Sequence, residues 1–180
     1  MINVATRIAK LRKERDLSLR ALADAAGVSP ATLSQIESGQ ASPSVATLEK
    51  LADGLNLSIS AFFLDAQPDN DVEIFRLNDR PAVKLHGGCS LFPLAAHHQH
   101  VGFEPILVRL EAGGEFNDAL YGISSPHAYA WVRLGQARLT LNETSYTVSE
   151  THSVYYDPRL PHNWHNAGSD VCELLIVRSR

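Results

Sequence analysis

The sequence predicts an α + β protein of two domains, a bundle of five short helices followed by a jelly-roll β-barrel. Three observations carry this. Apolar residues recur at helical spacing up to about residue 63 and alternate with polar ones from about residue 72. A polar stretch with one proline and three aspartates, residues 65–71, separates the two regimes and suits a linker. Composition switches at the same place, since all eight histidines and every aromatic residue except Phe62 and Phe63 lie beyond it. The expected units are therefore 1–64, a linker 65–71, and 72–180.

In the first unit each helix has its own justification. Val4, Ile8 and Leu11 space an apolar stripe for a first helix over 4–14, surrounded by Arg7, Lys10, Arg12, Lys13 and Arg15. Ser18 suits the N-cap of a second helix, because its hydroxyl accepts from a backbone N–H that the helix leaves unpaired. Leu19, Leu22, Ala23 and Ala26 form the apolar side of that helix, with Ala23 small enough for a tight helix crossing. Gly27 ends it, because a residue without Cβ accepts positive φ. Ser29 caps the third helix, and Pro30 stands in its first turn, where a missing N–H costs little. Val28, Leu33 and Ile36 face inward there, leaving Pro30, Ala31, Thr32, Ser34, Gln35 and Ser38 outside. A fourth helix over 44–55 has Val45, Leu48, Leu51, Ala52 and Leu55 at core spacing, and a short fifth spans 58–63.

The outward side chains of the third helix suit contact with base edges. Glutamine bonds adenine bidentately, and alanine or threonine methyls touch the thymine methyl. A solvated polar helix without a ligand is the competing reading. Residues 1–64 carry seven Lys/Arg against six Asp/Glu, and residues 65–180 carry nine against fourteen. Local clustering counts for more than the overall net charge of −4, because phosphate attraction is screened over about 10 Å.

The stretch 27–63, GVSPATLSQIESGQASPSVATLEKLADGLNLSISAFF, resembles the Xre/Cro/C1 family of helix-turn-helix regulators. The matching parts are the Gly27-Val28-Ser29 turn, the block Ser34-Gln35-Ile36-Glu37-Ser38-Gly39, Pro43-Ser44, and the closing Leu55 with Phe62-Phe63. The resemblance implies a five-helix, lambda-repressor-like DNA-binding domain. Recognition positions fall on Pro30, Ala31, Thr32 and Gln35, and backbone contacts on Ser29, Ser38 and the start of the second helix. Leu19 stands where many members have glutamine, so Arg20 is the expected substitute for that phosphate contact. The candidate DNA-binding set is Ser29, Pro30, Ala31, Thr32, Ser34, Gln35, Ser38, Arg20 and Arg7.

In the second unit, alternation predicts strands over 73–78, 82–86, 90–95, 103–110, 127–133, 136–142, 145–149, 152–157, 161–167 and 171–178. Turn residues separate them, among them Gly87-Gly88, Gly113-Gly114, Gly135, Asn142-Glu143 and Pro158. Short strands at close spacing without helical interruption indicate a sandwich or jelly-roll barrel. The block 127–168 resembles the cupin superfamily, through the hairpin at Gly135, Ser153 to Pro158, Pro161-His162 and Asn166.

Metal-binding cupins place HxH and a glutamate ahead of a glycine, with a further histidine in a second motif. Counted back from Gly135, the glutamate position is Ala128, and the HxH positions are Tyr121 and Ile123, or Gly122 and Ser124. Only His162 remains of the ligand set, and alanine and isoleucine do not ligate metals. The expectation is no cofactor, with an irregular metal site of His162 and Tyr121 plus a loop histidine as the alternative. The run His97-His98-Gln99-His100 reads as a solvated loop, and His165 alternates outward from His162.

The same resemblance leaves a barrel pocket. His162, Trp164 and Asn166 share one face of a strand, and Tyr121, His127 and Arg109 are further candidate effector-binding residues, with Ala128 and Ala130 leaving room. The direction of Arg109 and Arg138 stays open, and Trp131, Trp164, Tyr155 and Tyr156 suit core or dimer contact equally. Cys89 and Cys172 lack CxxC spacing and read as small buried hydrophobes.

No stretch approaches the roughly 18 apolar residues of a membrane span, and the N-terminus lacks a signal-peptide apolar region. The location expected is therefore the cytoplasm. Together these features imply a sequence-specific DNA-binding transcriptional regulator, not an enzyme. It would act as a homodimer on an operator, and its cupin domain would sense a small polar metabolite such as an amino acid, amine or sulfur compound. The rival readings are a metal-dependent cupin enzyme carrying a DNA-binding head and an antitoxin-like interaction protein.

Overall fold

The computed structural model describes residues 4–63, 72, 74, 76–77, 82–95 and 102–179. Four helices come first, α1 (Val4–Lys13), α2 (Leu19–Ala25), α3 (Pro30–Glu37) and α4 (Val45–Gly54), followed by a 3-10 turn at Ile59–Phe62. The caps fall on Ser18, Ser29 and Ser44, whose hydroxyls accept from the N–H groups of Ala21, Thr32 and Thr47. Gly27 takes φ +61°, which lets the chain reverse from α2 into α3. Ile8, Leu22, Leu33, Ile36, Leu48, Leu51, Ile59 and Phe62 are buried and form the core of the head. The expected fifth helix is the 3-10 turn. It has four residues and no side-chain cap at Ser58, too few to offset the nucleation cost of an α-helix.

The second domain has nine strands among the described residues: β1 (Val83–Lys84), β2 (Cys89–Pro93), β3 (Phe103–Leu110), β4 (Ala128–Leu134), β5 (Gln136–Leu141), β6 (Thr144–Ser149), β7 (Ser153–Tyr156), β8 (His162–Asn166) and β9 (Cys172–Ser179). They form a six-stranded sheet in the order β1-β2-β3-β9-β4-β7 and a three-stranded sheet β6-β5-β8. The segment between β3 and β4 touches β8 at two bridges, Glu115 with His165 and Tyr121 with His162. Ala130, Val132, Ala137, Leu139, Trp164, Leu174 and Ile176 point between the sheets and are buried. Cys89 and Cys172 are buried free thiols.

The expected strand over 82–86 shrinks to β1, since the chain turns at once through Gly87 and Gly88, both at positive φ. Of the expected strand 73–78, residues 74, 76 and 77 are described and none is in a strand. The other residues of that strand, the linker 65–71 and His97, His98 and His100 lie outside the described residues.

The head rests against one end of the barrel. The Ser124 N–H donates to Asp53 (3.0 Å) and the His86 N–H to the Pro43 carbonyl (3.4 Å). The main contact is ionic and buried, and it belongs to the site described next.

Candidate nucleic-acid interface and barrel mouth

On α3, Leu33 and Ile36 are buried, while Pro30, Ala31, Thr32, Ser34 and Gln35 are exposed together with Ser29 and Ser38. The 3.6-residue period of a helix held by its inward leucine and isoleucine leaves this polar stripe free. Part of its hydroxyl capacity is already used. Ser29 and Thr32 hydroxyls are 2.7 Å apart, and the Ser38 hydroxyl donates to the Gln35 carbonyl. The Gln35 amide and the Arg20 guanidinium are exposed with no partner among the described residues.

The basic face of α1 is different from the expectation. Arg7 is half-buried and its Nε donates to the Ala61 carbonyl (3.0 Å), so it ties α1 to the 3-10 turn. Arg12 forks onto Glu37 at 2.8 and 2.7 Å and donates to the Leu17 carbonyl. Arg15 bonds the carbonyls of Leu11 and Leu55. Arg7 and Arg15 sit beside helix ends whose last carbonyls lack intrahelical partners, so internal acceptors take them. Sequence spacing did not show this, because Arg12 and Glu37 are 25 residues apart.

In the barrel, Tyr121 and His162 are brought together, their ring centroids 4.6 Å apart. Tyr156, which the sequence marked for core or dimer contact, lies 5.2 Å from His162, and its hydroxyl accepts from Trp164 Nε1 at 3.1 Å. Burial holds the His162 pKa below its ordinary value, and Nδ1 lies 2.9 Å from the Leu160 carbonyl. The ring is thus neutral near pH 7 with its proton on Nδ1. No group of three or more His, Cys, Asp or Glu among the described residues could hold a metal ion.

Three other candidates lie elsewhere. Arg109 points outward from β3, stacks over Phe92 and pairs with Glu173, which Arg133 also holds. His127 is exposed and hydrogen-bonds the Tyr155 hydroxyl. Asn166 faces inward but is fully engaged: its amide donates to the carbonyls of Leu110, Glu111 and Asp170 and its oxygen accepts from Gly168 N. It closes a turn and has no free group for a ligand. Alternation along a strand fixes the side of a residue but not its partners.

Arg138 and His165 are register partners on the outer face of the three-stranded sheet. With Thr140, Asn163 and Glu115 they line an outer cleft of about 390 Å³.

The feature that sequence reasoning missed is at the barrel mouth. Register puts Ala128, Arg178 and Glu104 in one row on the inner face of the six-stranded sheet. Arg178 is buried there and holds two carboxylates, Glu104 of β3 at 2.8 Å and Glu49 of α4 in the head. Glu104 also accepts from the N–H and hydroxyl of Ser60 in the 3-10 turn, at 2.8 and 2.5 Å. Three charged side chains and Ser60, from two domains, thus meet in one buried cluster.

The two carboxylates are held unequally. Burial pushes Glu104 up, but Arg178 and the Ser60 bonds outweigh it and hold the carboxyl below its ordinary value. Burial wins at Glu49, whose carboxyl is raised, and its Oε2 is buried without a hydrogen-bond partner. Tyr121 is adjacent: burial, and then the Glu49 charge, raise its hydroxyl well above the ordinary tyrosine value. Glu49 sits at a helix position where only packing against β9 shows its role, and nothing local in the sequence marks it.

A capped helix presenting small polar side chains, on a helical head fused to a jelly roll, defines a two-domain helix-turn-helix protein. Comparison with known proteins agrees. Residues 8–62 match the Helix-turn-helix family. HTH-type transcriptional regulator SutR of Escherichia coli K12 is 48% identical over 64 residues, 36% of each chain, so the match spans about a third of that relative's length. HTH-type transcriptional regulator PuuR of Escherichia coli K12 is 22% identical over 174 residues, covering 96% of this chain and 92% of the relative. The crystal structure of an HTH_3 family transcriptional regulator from Vibrio cholerae superposes with a TM-score of 0.76 at 24% identity, over 99% of this chain and 96% of the other. Residues 8–62 therefore carry the Helix-turn-helix match, and the whole chain shares its fold with the Vibrio cholerae structure.

Proposed function

We propose that this protein binds a roughly palindromic operator as a homodimer and that its barrel senses a small polar metabolite. The observation that carries the reading is the exposed, capped face of α3, with Gln35 unpartnered and Leu33 and Ile36 locked beneath it. One small helix-turn-helix seldom supplies enough affinity alone, so two copies reading two half-sites are expected. Tyr129 and Tyr155, exposed at 42% and 63% on the outer face of the six-stranded sheet, offer apolar surface for a second copy. The names of SutR and PuuR support the regulatory reading. Acting on an operator places the protein in the cytoplasm.

Tyr121, His162, Tyr156 and Trp164 form the inner wall where a metabolite would contact the barrel. To alter DNA occupancy, that metabolite must bind the two arrangements of the heads with different affinity. The reading includes no cofactor and no catalysis, because imidazole His162 stands without the other cupin ligands.

The test is fluorescence anisotropy at fixed salt, with duplexes from the region beside the protein's own gene. A sequence-specific complex is expected, and its absence with and without candidate metabolites refutes the reading. The His162→Ala variant should bind DNA like wild type and lose its metabolite response. If it unfolds the barrel instead, the wall assignment is wrong. Stoichiometric metal in protein purified without chelator or nickel resin would favour the enzyme reading.

A further inference from the structure

We infer that Arg178 is the anion-binding residue of the barrel mouth, and that a small carboxylate effector acts by taking the place of Glu49 on its guanidinium and so releasing the DNA-binding head. This inference rests on the regulator reading for its biological meaning, though its chemistry can be tested without DNA.

The argument starts from charge. The buried cluster holds two carboxylates, Glu49 and Glu104, and one guanidinium, Arg178. A guanidinium offers five N–H donors in a planar fork suited to carboxylates. Glu104 is anchored on both oxygens, Oε2 by Arg178 and Oε1 by Ser60. Arg178 binds Glu49 through Oε1 only, the Tyr121 hydroxyl also lies against this carboxylate, and its Oε2 is buried without a hydrogen-bond partner. A buried acceptor without a donor is unfavourable, so Glu49 is the weaker-held member. It is also the member that has somewhere better to go. It belongs to α4 of the head, and it regains water if the head lifts from the barrel, whereas Glu104 is fixed in β3.

The second part is position. Arg178 lies in the inner-face row beside Ala128, whose neighbour across the ladder is Tyr156. The ring of Tyr156 touches His162, and His162 touches Tyr121. The group exchanged is therefore next to the aromatic wall of the barrel, and Ala128, the neighbour of Arg178 across the ladder, carries only a methyl side chain. An incoming carboxylate keeps Arg178 paired, so the exchange leaves no guanidinium buried alone. An amine does not fit this exchange, because it would meet Arg178 with like charge. A neutral amide has no charge with which to compete against the Glu49 carboxylate for the guanidinium.

The effect on the head follows from geometry. Among the polar contacts between head and barrel in the described residues are Glu49 with Arg178 and Tyr121, Ser60 with Glu104, Asp53 with Ser124, and Pro43 with His86. Loss of the only one of these that pairs two full opposite charges frees α4 to move relative to the sheet. Because α3 packs in the same small core as α4, the recognition surface moves with it.

The experiment uses the full-length protein and hydrogen–deuterium exchange of α4 and the 3-10 turn. Acetate, succinate and glutamate are the probes, with acetamide and putrescine as neutral and cationic controls. At least one carboxylate should speed exchange in α4 in wild type, while acetamide and putrescine should not. In Glu49→Ala the competitor is absent, so calorimetry should show that carboxylate binding about tenfold or more tightly than to wild type. In that variant head exchange should already be fast and insensitive to the ligand. Circular dichroism establishes that the variant is folded.

No carboxylate response in wild type together with unchanged affinity in Glu49→Ala overturns the inference. So does a response to putrescine alone. Failure of the regulator reading is seen separately: it is the loss of sequence-specific DNA binding by wild type, whatever the exchange data show.

Discussion

Replacing Arg12 with alanine tests whether the basic face of α1 is structural. The Arg12 and Glu37 side chains are 12% and 10% exposed and meet through two N–H···O bonds of 2.8 and 2.7 Å. Glu37 closes α3, so this fork clamps α3 to α1. Glu37 also strengthens the hold of Arg12 on its proton, chiefly through the hydrogen bond. Exposed pairs contribute about 0–1 kcal/mol, and breaking a fully buried pair costs about 3–5 kcal/mol. A pair nine-tenths covered lies between, at about 2–4 kcal/mol for Arg12→Ala, which also strips the Leu17 carbonyl of its donor.

Glu37→Ala should cost less, about 1–2 kcal/mol, because Arg12 keeps Leu17 and reaches water. The double variant should cost no more than Arg12→Ala alone, giving a coupling of about 1–2 kcal/mol. For a unit of about 60 residues, each kcal/mol moves the melting midpoint by about 4–8 °C. The head contains no tryptophan or tyrosine, so far-UV circular dichroism follows its helices while tryptophan fluorescence follows the barrel. An Arg12→Ala cost below about 1 kcal/mol, or an additive cycle, would show that Arg12 is an ordinary surface cation after all.

Gln35→Ala should weaken operator binding by about 1–3 kcal/mol and leave nonspecific binding nearly unchanged, measured by anisotropy at one salt concentration. Asn166→Ala should destabilise the barrel by about 2–3 kcal/mol in urea unfolding, since three carbonyls lose their donor, and should leave ligand affinity of the folded fraction intact. Glu104 has a folded-state carboxyl below its ordinary value of 4.5, so the stability it contributes is present above that pH and is lost as pH falls through the folded value. Wild type should therefore lose more stability than Glu104→Gln between about pH 5 and pH 3, read as melting temperature against pH; parallel curves would remove Glu104 from the docking contact.

What the sequence determined was whatever local rules decide. Serine hydroxyls cap the helix N-termini at Ser18, Ser29 and Ser44 because the first N–H groups of a helix need acceptors within a few residues. Helical periodicity put Leu33 and Ile36 in the core and left Thr32 and Gln35 outside. Alternation placed His162 inward and His165 outward on β8. Tertiary structure decided the partners. Arg7, Arg12 and Arg15, which spacing showed only as a basic surround to the apolar stripe of α1, became internal clamps, because acceptors distant in sequence came within their reach. Arg109 found Glu173, Asn166 found a turn, and Arg178 drew Glu49 across 129 residues of chain into a buried pair. A spacing rule sees one element at a time, whereas charge pairing depends on which elements the fold brings together, and that juxtaposition exists only once the chain has folded.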